Sequence, residues 1–196
     1  MDQFEYVMVL VSIVIGLGIA HILIGVGGII DRLSGREDRL ELSVAHAFWL
    51  AFCFMWMVMF WWWEYRFSSR VSDWTMGLYL FLVIYAVSLF LMSVLLVPKS
   101  WDGVLSLQDY FIRRRVWFYS LLIWTIVLDQ FDSYLKGGIE YMAETGALGM
   151  AFSISIIPSA LVGIKTKNIQ YHNFVGVLFY CWQLLIGLEL YDTLAS

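Results

Sequence analysis

Long apolar runs separated by short polar gaps dominate the chain. Apolar runs of about 20 residues are typical of helices that cross a membrane. Six such runs occupy residues 4–30, 44–63, 75–97, 116–135, 147–164 and 171–190. The gaps leave no room for a separate soluble domain. The pattern therefore predicts an all-α integral membrane protein, in which residues 1–196 form one domain, a bundle of six transmembrane helices with short loops.

Polar, proline and glycine residues mark where several of these helices begin and end. Ser43 is a suitable N-cap for the second helix. Pro98 follows the third apolar run, and a helix cannot continue through it without losing a hydrogen bond. The fourth run stops at the glycine pair 137–138, a typical C-cap. Residues 106–109 form a capping-box pattern, so the fourth helix is expected to begin near Leu107.

The composition agrees with this prediction. The 196 residues are 61% hydrophobic and only 14% charged, and the mean hydropathy is +0.77. These values exclude a soluble globular enzyme and a disordered chain. The net charge of −4 gives no support for nucleic-acid binding. Cys53 and Cys181 are too few for a disulfide framework and have no metal-ligand spacing, so we interpret them as buried free thiols.

The distribution of Lys and Arg predicts the orientation of the bundle. Nine of the twelve basic residues fall in the first, third and fifth loops. Because basic loops remain in the cytoplasm, both termini are predicted to face outward (N-out/C-out). Arg113, Arg114 and Arg115 are expected at the cytoplasmic headgroups, where they attract anionic lipid. The size and style of the chain resemble those of a small bacterial inner-membrane protein, which is the predicted location.

Polar residues inside the apolar runs are candidates for an ion path. His21 lies ten residues before Asp31, roughly 15 Å into the membrane at 1.5 Å per residue. The candidate path residues are His21, Asp129, Glu189, Gln183, Thr125 and Ser155. Ser88 has a similar depth. In the alternative interpretation, these groups only form hydrogen bonds within and between helices.

Acidic residues cluster near the predicted outer end. Asp129 and Asp132 share one face of the fourth helix, and Glu189 and Asp192 share one face of the sixth. Glu64 and Asp73 lie at the same end. These acids could attract cations or protons. Alternatively, Asp132 pairs with Lys136 and Glu64 pairs with Arg66 or Arg70. Asp132 and Asp192 are expected to be solvated.

Small and aromatic residues form candidate surfaces for helix packing or for a partner. They are Gly18, Gly25 and Gly28 in the first helix, Trp49 and Trp56 in the second, and Gly149, Ser153 and Gly163 in the fifth. Small residues allow close approach of helices in a membrane. Pro158 is expected to kink the fifth helix. A homo-oligomer or another membrane-protein partner could use these faces.

Three functions are compatible with the sequence. The first is a channel or transporter for a small cation or protons, running from the outer acids past His21. The second is a non-catalytic accessory or lipid-interacting subunit that docks a partner through its aromatic and Gly-rich faces. The third and weakest is a redox subunit that binds haem or quinone. No catalytic motif is visible, so an enzyme is not expected. No metal site and no cofactor are predicted. The sequence does not exclude binding of haem or quinone. His46 and His172 are predicted to lie at the same depth in the membrane, but they are a weak candidate for a pair of haem ligands.

Overall fold

The computed structural model describes residues 3–35, 40–70, 74–144 and 146–195. Within these residues the chain is helical, with short connecting segments. The helices are α1 (Gln3–Ser34), α2 (Val44–Glu64), α3 (Phe67–Arg70), α4 (Met76–Leu96), α5 (Leu107–Glu144), α6 (Gly146–Lys165) and α7 (Ile169–Ala195).

Local sequence signals explain the ends of α2 and α4. The Ser43 hydroxyl accepts a hydrogen bond from the backbone N–H of His46 at 3.3 Å, which caps α2 as predicted. The hydroxyl of Thr75 caps α4 in the same way. Helix α4 ends at Leu96, two residues before Pro98. The predicted cap at Ser43 and the predicted end of α4 before Pro98 are therefore confirmed.

Helix α5 begins and breaks where the sequence predicted. It starts at Leu107, and the Ser106 hydroxyl accepts a hydrogen bond from the N–H of Asp109 at 3.3 Å. Helical geometry is lost at residues 137–138, where Gly138 has φ 68°, a conformation that favours glycine. The first helical part of α5 thus ends at the glycine pair, as predicted, and a second, short helical part follows it to Glu144.

Helix α2 is the centre of the bundle, and it packs against α1, α4, α5 and α7. Helix α1 also packs along α4, and α5 packs along both α4 and α6. The core is strongly aromatic. The fully buried Trp49 ring lies with its centroid 5.1 Å from that of Phe118 and 5.6 Å from that of Tyr119. Trp49 therefore belongs to the interior of the chain and does not present an outer face.

The predicted small-residue contacts lie largely within the chain. At four of the predicted glycines, a Cβ atom would come too close to a side chain elsewhere in the chain. At Gly18 it would lie 2.8 Å from Met57 Sδ, and at Gly25 2.6 Å from Val97 Cγ2. At Gly28 it would lie 2.2 Å from Trp101 Nε1, and at Gly163 2.6 Å from Tyr119 Cε2. These glycines allow neighbouring side chains to pack closely against the helix, and a larger residue would require those side chains to shift. Docking of a partner through these positions stays a prediction.

Within the part of the chain that the structure describes, three helices are long and apolar enough to cross a membrane, namely Phe4–Ser34, Val44–Glu64 and Met76–Leu96. Residues Gly149–Lys165 form a shorter apolar helix, which continues through Pro158. Helix α5 has two acidic residues, Asp129 and Asp132, inside its apolar stretch. Length and composition thus indicate a membrane protein with three candidate spans. The arrangement of six spans stays a prediction.

Candidate functional site

An open cavity of ≈ 260 Å³ lies near the C-terminal end of α2 and is lined by residues of α2, α5, α6 and α7. Its charged and polar lining includes Glu64, Arg66, Asp129, Gln130, Asp132, Lys136, Ser153 and Gln183. Its apolar lining includes Phe52, Trp56, Trp63, Met150 and Phe152. We call this cavity the acidic chamber. It combines charged groups with aromatic walls, which is unusual for a helix interface.

One lysine forms hydrogen bonds with two carboxylates in the acidic chamber. The ammonium group of Lys136 donates hydrogen bonds to Glu64 Oε1, at 3.1 Å, and to Asp132 Oδ2. Lys136 and Asp132 are one helical turn apart on α5, so they share a face. Glu64 reaches them from the end of α2. All three residues are at most 3% exposed, and buried charges of this kind are tolerated only when they are paired.

Asp129 is the third carboxylate of the chamber, and it accepts hydrogen bonds from neutral groups. Its Oδ1 accepts a hydrogen bond from the Tyr85 hydroxyl at 2.8 Å, and its Oδ2 accepts one from the Gln130 amide at 3.1 Å. The Tyr85 hydroxyl in turn accepts from Trp56 Nε1, and the Gln130 amide also donates to the Ser153 hydroxyl. This network connects α2, α4, α5 and α6 around one carboxylate.

Several acceptor atoms of the acidic chamber have no donor among the residues that the structure describes. They are Glu64 Oε2, Asp132 Oδ1 and Gln183 Oε1. Each belongs to a side chain that is at most 5% exposed. An unsatisfied buried acceptor costs free energy. The chamber therefore holds three buried acceptors without a donor among the described residues, beside the cationic side chains of Lys136 and Arg66.

Arg66, Arg70 and Tyr141 lie together at one edge of the acidic chamber. Arg66 donates a hydrogen bond to the Tyr141 hydroxyl at 3.1 Å, and the Arg70 guanidinium lies 4.7 Å from the centroid of the Tyr141 ring. Gly137 permits this arrangement, because an added Cβ would come within 3.0 Å of both Tyr141 and Arg70. Glu64 is bonded by Lys136, a partner that the sequence did not suggest for it.

The acidic chamber brings together only part of the predicted ion path. Asp129 and Gln183 line it, as do the predicted packing residues Trp56, Gly149 and Ser153. The expectation that Asp132 is solvated is wrong, since this residue is 3% exposed and is bonded by Lys136. Burial follows from packing of α5 against the end of α2, which sequence spacing along α5 does not reveal.

The other predicted path residues lie elsewhere or bond within their own helix. The Thr125 hydroxyl donates to the carbonyl of Leu121 at 2.8 Å, and the Ser155 hydroxyl donates to that of Phe152 at 3.1 Å. Ser88 likewise donates to the carbonyl of Ile84, four residues earlier. The side chains of Glu189 and Asp192, and the residue Asp73, lie outside the described part of the structure.

His21 is not part of the acidic chamber. Its ring lies near α4, with a centroid distance of 6.3 Å to Phe90, and its Nε2 has no hydrogen-bond partner among the described residues. Helix α1 contributes no residue to the chamber lining. The depth of His21 was estimated from helical rise, whereas its position around the helix axis depends on how α1 packs against α4.

The three arginines of the basic cluster near the start of α5, residues 113–115, differ in their surroundings. Arg113 is exposed, and the Arg114 guanidinium lies 4.6 Å from the centroid of the Tyr110 ring. Arg115 donates to the backbone carbonyls of Thr166, at 2.9 Å, and Ile112, at 2.8 Å. Arg115 therefore ties α5 to the segment after α6. Binding of lipid headgroups by this cluster stays a prediction.

The two histidines at the predicted inner end bond to backbone carbonyls. His46 Nε2 lies 2.7 Å from the carbonyl oxygen of Leu96. His172 Nε2 lies 3.2 Å from that of Thr166, and its Nδ1 lies 2.9 Å from the Tyr119 hydroxyl. A carbonyl accepts only, so each Nε2 carries the proton and donates. Both side chains thus have structural partners, and binding of haem or quinone stays a prediction.

Lys136 and Gln130 line the acidic chamber, and Tyr85 bonds Asp129 from α4, but sequence reasoning did not select these three residues as path candidates. Their contacts with Glu64, Ser153 and Asp129 join different helices, which spacing along one helix does not reveal. Compared with models of known protein families, with curated proteins and with solved structures, the chain matches none.

Proposed function

We propose that the chain is a six-span membrane protein, N-out/C-out in a bacterial inner membrane, that transports protons or a small cation through the acidic chamber. The observation that carries this proposal is the charge balance of the chamber. Three carboxylates, those of Glu64, Asp129 and Asp132, line it, against two cationic side chains, Lys136 and Arg66. The ammonium of Lys136 bonds only Glu64 and Asp132. Ionisable groups inside membrane helices are costly, and they commonly mark ion or proton pathways.

Asp129 is the proposed exchange site. Its hydrogen bonds come from the neutral donors Tyr85 and Gln130, so no bonded cation has to be displaced before a proton or cation binds. Gln183 supplies a further acceptor to the same cavity. In the proposed orientation, the chamber lies at the outer end of α2, and its electronegative lining attracts cations from outside. The proposed path does not pass His21.

Proton flux into vesicles tests this proposal. Purified protein is reconstituted into liposomes that contain a pH-sensitive dye, with the membrane potential clamped by potassium and valinomycin. We expect flux through the wild type and at least a tenfold lower rate for Asp129→Asn, because the amide keeps the size of the side chain but cannot exchange a proton. Glu140→Gln is the matched control, since Glu140 is exposed on the same helix outside the chamber.

Two further results bear on the path. His21→Ala is expected to conduct like the wild type, because His21 lies outside the chamber lining. Equal flux through Asp129→Asn and the wild type would contradict the proposal. So would a folded wild type that conducts under neither polarity. The latter result would favour the alternative function, an accessory subunit, and would direct attention to membrane proteins or lipids that copurify.

A further inference from the structure

We propose that the acidic chamber binds an organic ammonium ion, a primary –NH3+ group attached to an apolar body. This inference rests on the proposed function in that it names the class of cation that the chamber accepts. It depends on three features of the chamber: its unsatisfied acceptors, the way it already holds one ammonium group, and its aromatic walls.

The unsatisfied atoms of the lining define the complementary ligand. Glu64 Oε2, Asp132 Oδ1 and Gln183 Oε1 are all acceptors without a donor among the described residues. No buried donor of the described lining is left unsatisfied in the same way. A primary ammonium group has three donors and no acceptor. It therefore matches a site with acceptors to spare, whereas an anion or a neutral carbonyl compound does not.

Lys136 demonstrates how this site binds an ammonium group. Its Nζ bonds Glu64 and Asp132 and also lies 4.8 Å from the centroid of the Phe67 ring. The attraction of a cation to an aromatic face strengthens when both are removed from water. The remaining oxygen of each carboxylate has no donor. Each carboxylate therefore keeps one buried oxygen that a second ammonium group would satisfy once the side chain turns toward the cavity.

The walls and size of the chamber favour an organic cation over a bare metal ion. Its volume of ≈ 260 Å³ is many times the space that one water molecule needs. Phe52, Trp56, Met150 and Phe152 supply apolar surface for a ligand body. Among the described residues, no three His, Cys, Asp or Glu side chains converge closely enough to enclose a metal ion. Hard cations require such a cage of oxygen ligands.

Binding of 2-phenylethylammonium to the full-length protein in detergent micelles tests the inference. Its neutral analogue 2-phenylethanol has almost the same shape and lacks the charge. Isothermal titration calorimetry is expected to give at least tenfold tighter binding for the ammonium compound, because only this compound supplies charge-assisted hydrogen bonds to the carboxylates. Equal affinity for the two compounds, or no binding of either, would overturn the inference.

Gln183→Leu separates ligand recognition from folding. Gln183 is 5% exposed and has an unsatisfied Oε1, so replacing it with an apolar side chain is expected to preserve or raise the thermal stability. The same change removes one acceptor, and binding of 2-phenylethylammonium should weaken at least fivefold. Glu140→Gln should bind like the wild type. Unchanged affinity in Gln183→Leu would place the ligand elsewhere and overturn the inference.

The two proposals fail in different ways. Proton flux without binding of 2-phenylethylammonium would overturn the proposal of an organic ammonium ligand but would still support proton transport. Binding that depends on Gln183, in a protein that shows no flux, would support the organic ligand and overturn transport.

Discussion

Lys136→Met should destabilise the folded protein by about 3–5 kcal/mol, the usual loss when one partner of a buried ion pair is removed. Lys136 is 3% exposed and is the cation bonded to Glu64 and Asp132, which are equally buried. Methionine fills a similar volume but leaves both carboxylates without their counter-charge. Denaturant unfolding of the purified protein in micelles, followed by tryptophan fluorescence, measures the difference.

The same substitution at an exposed position is the control for Lys136→Met. Lys167 lies on the surface between α6 and α7, so Lys167→Met should change the stability by less than about 0.5 kcal/mol. Adding Asp132→Asn to Lys136→Met should recover part of the loss, because it removes one of the uncompensated charges. If Lys136→Met is as stable as Lys167→Met, the buried ion cluster does not exist as described.

Trp49→Ala should cost about 3–5 kcal/mol, as is typical of removing a large aromatic side chain from a core. Trp49 is fully buried, and its ring centroid lies within 5.1–6.4 Å of those of Phe118, Tyr119 and Phe179. These contacts connect α2 to α5 and α7. The cavity left by alanine would therefore loosen the centre of the bundle, and a lower denaturation midpoint would report this.

Trp117→Ala is the matched control, because Trp117 is 72% exposed on α5. It should unfold close to the wild-type midpoint. A small effect of Trp49→Ala together with a large effect of Trp117→Ala would contradict the assignment of Trp49 to the interior. It would instead support an aromatic surface on α2 for a partner, which the sequence left as an alternative.

The sequence predicted local features of the fold because these depend on neighbouring residues. The caps at Ser43 and Ser106 and the break at residues 137–138 involve groups within one helical turn. The pairing of Asp132 with Lys136 is local in the same sense. Such features require no knowledge of how the helices pack.

The acidic chamber could be predicted only in part, because its key contacts join distant segments. Lys136 meets Glu64 across 72 residues, and Asp129 meets Tyr85 across 44 residues. Helical rise gives the depth of a residue but not the direction in which it points. For this reason the sequence left open whether His21 and Asp129 lie on one path, and the structure places His21 beside α4, outside the chamber lining.

The rate at which charged reagents modify a cysteine in the acidic chamber tests the central claim most directly. Ser153 lines the chamber and is replaced by cysteine in a Cys53→Ala, Cys181→Ala background, because Cys181 is exposed and not buried as predicted. Two methanethiosulfonate reagents are compared, one with a trimethylammonium group and one with a sulfonate group, each calibrated against a free thiol. If the chamber is open and attracts cations, the trimethylammonium reagent should react at least tenfold faster. Equal rates, or faster reaction of the sulfonate reagent, would contradict the account.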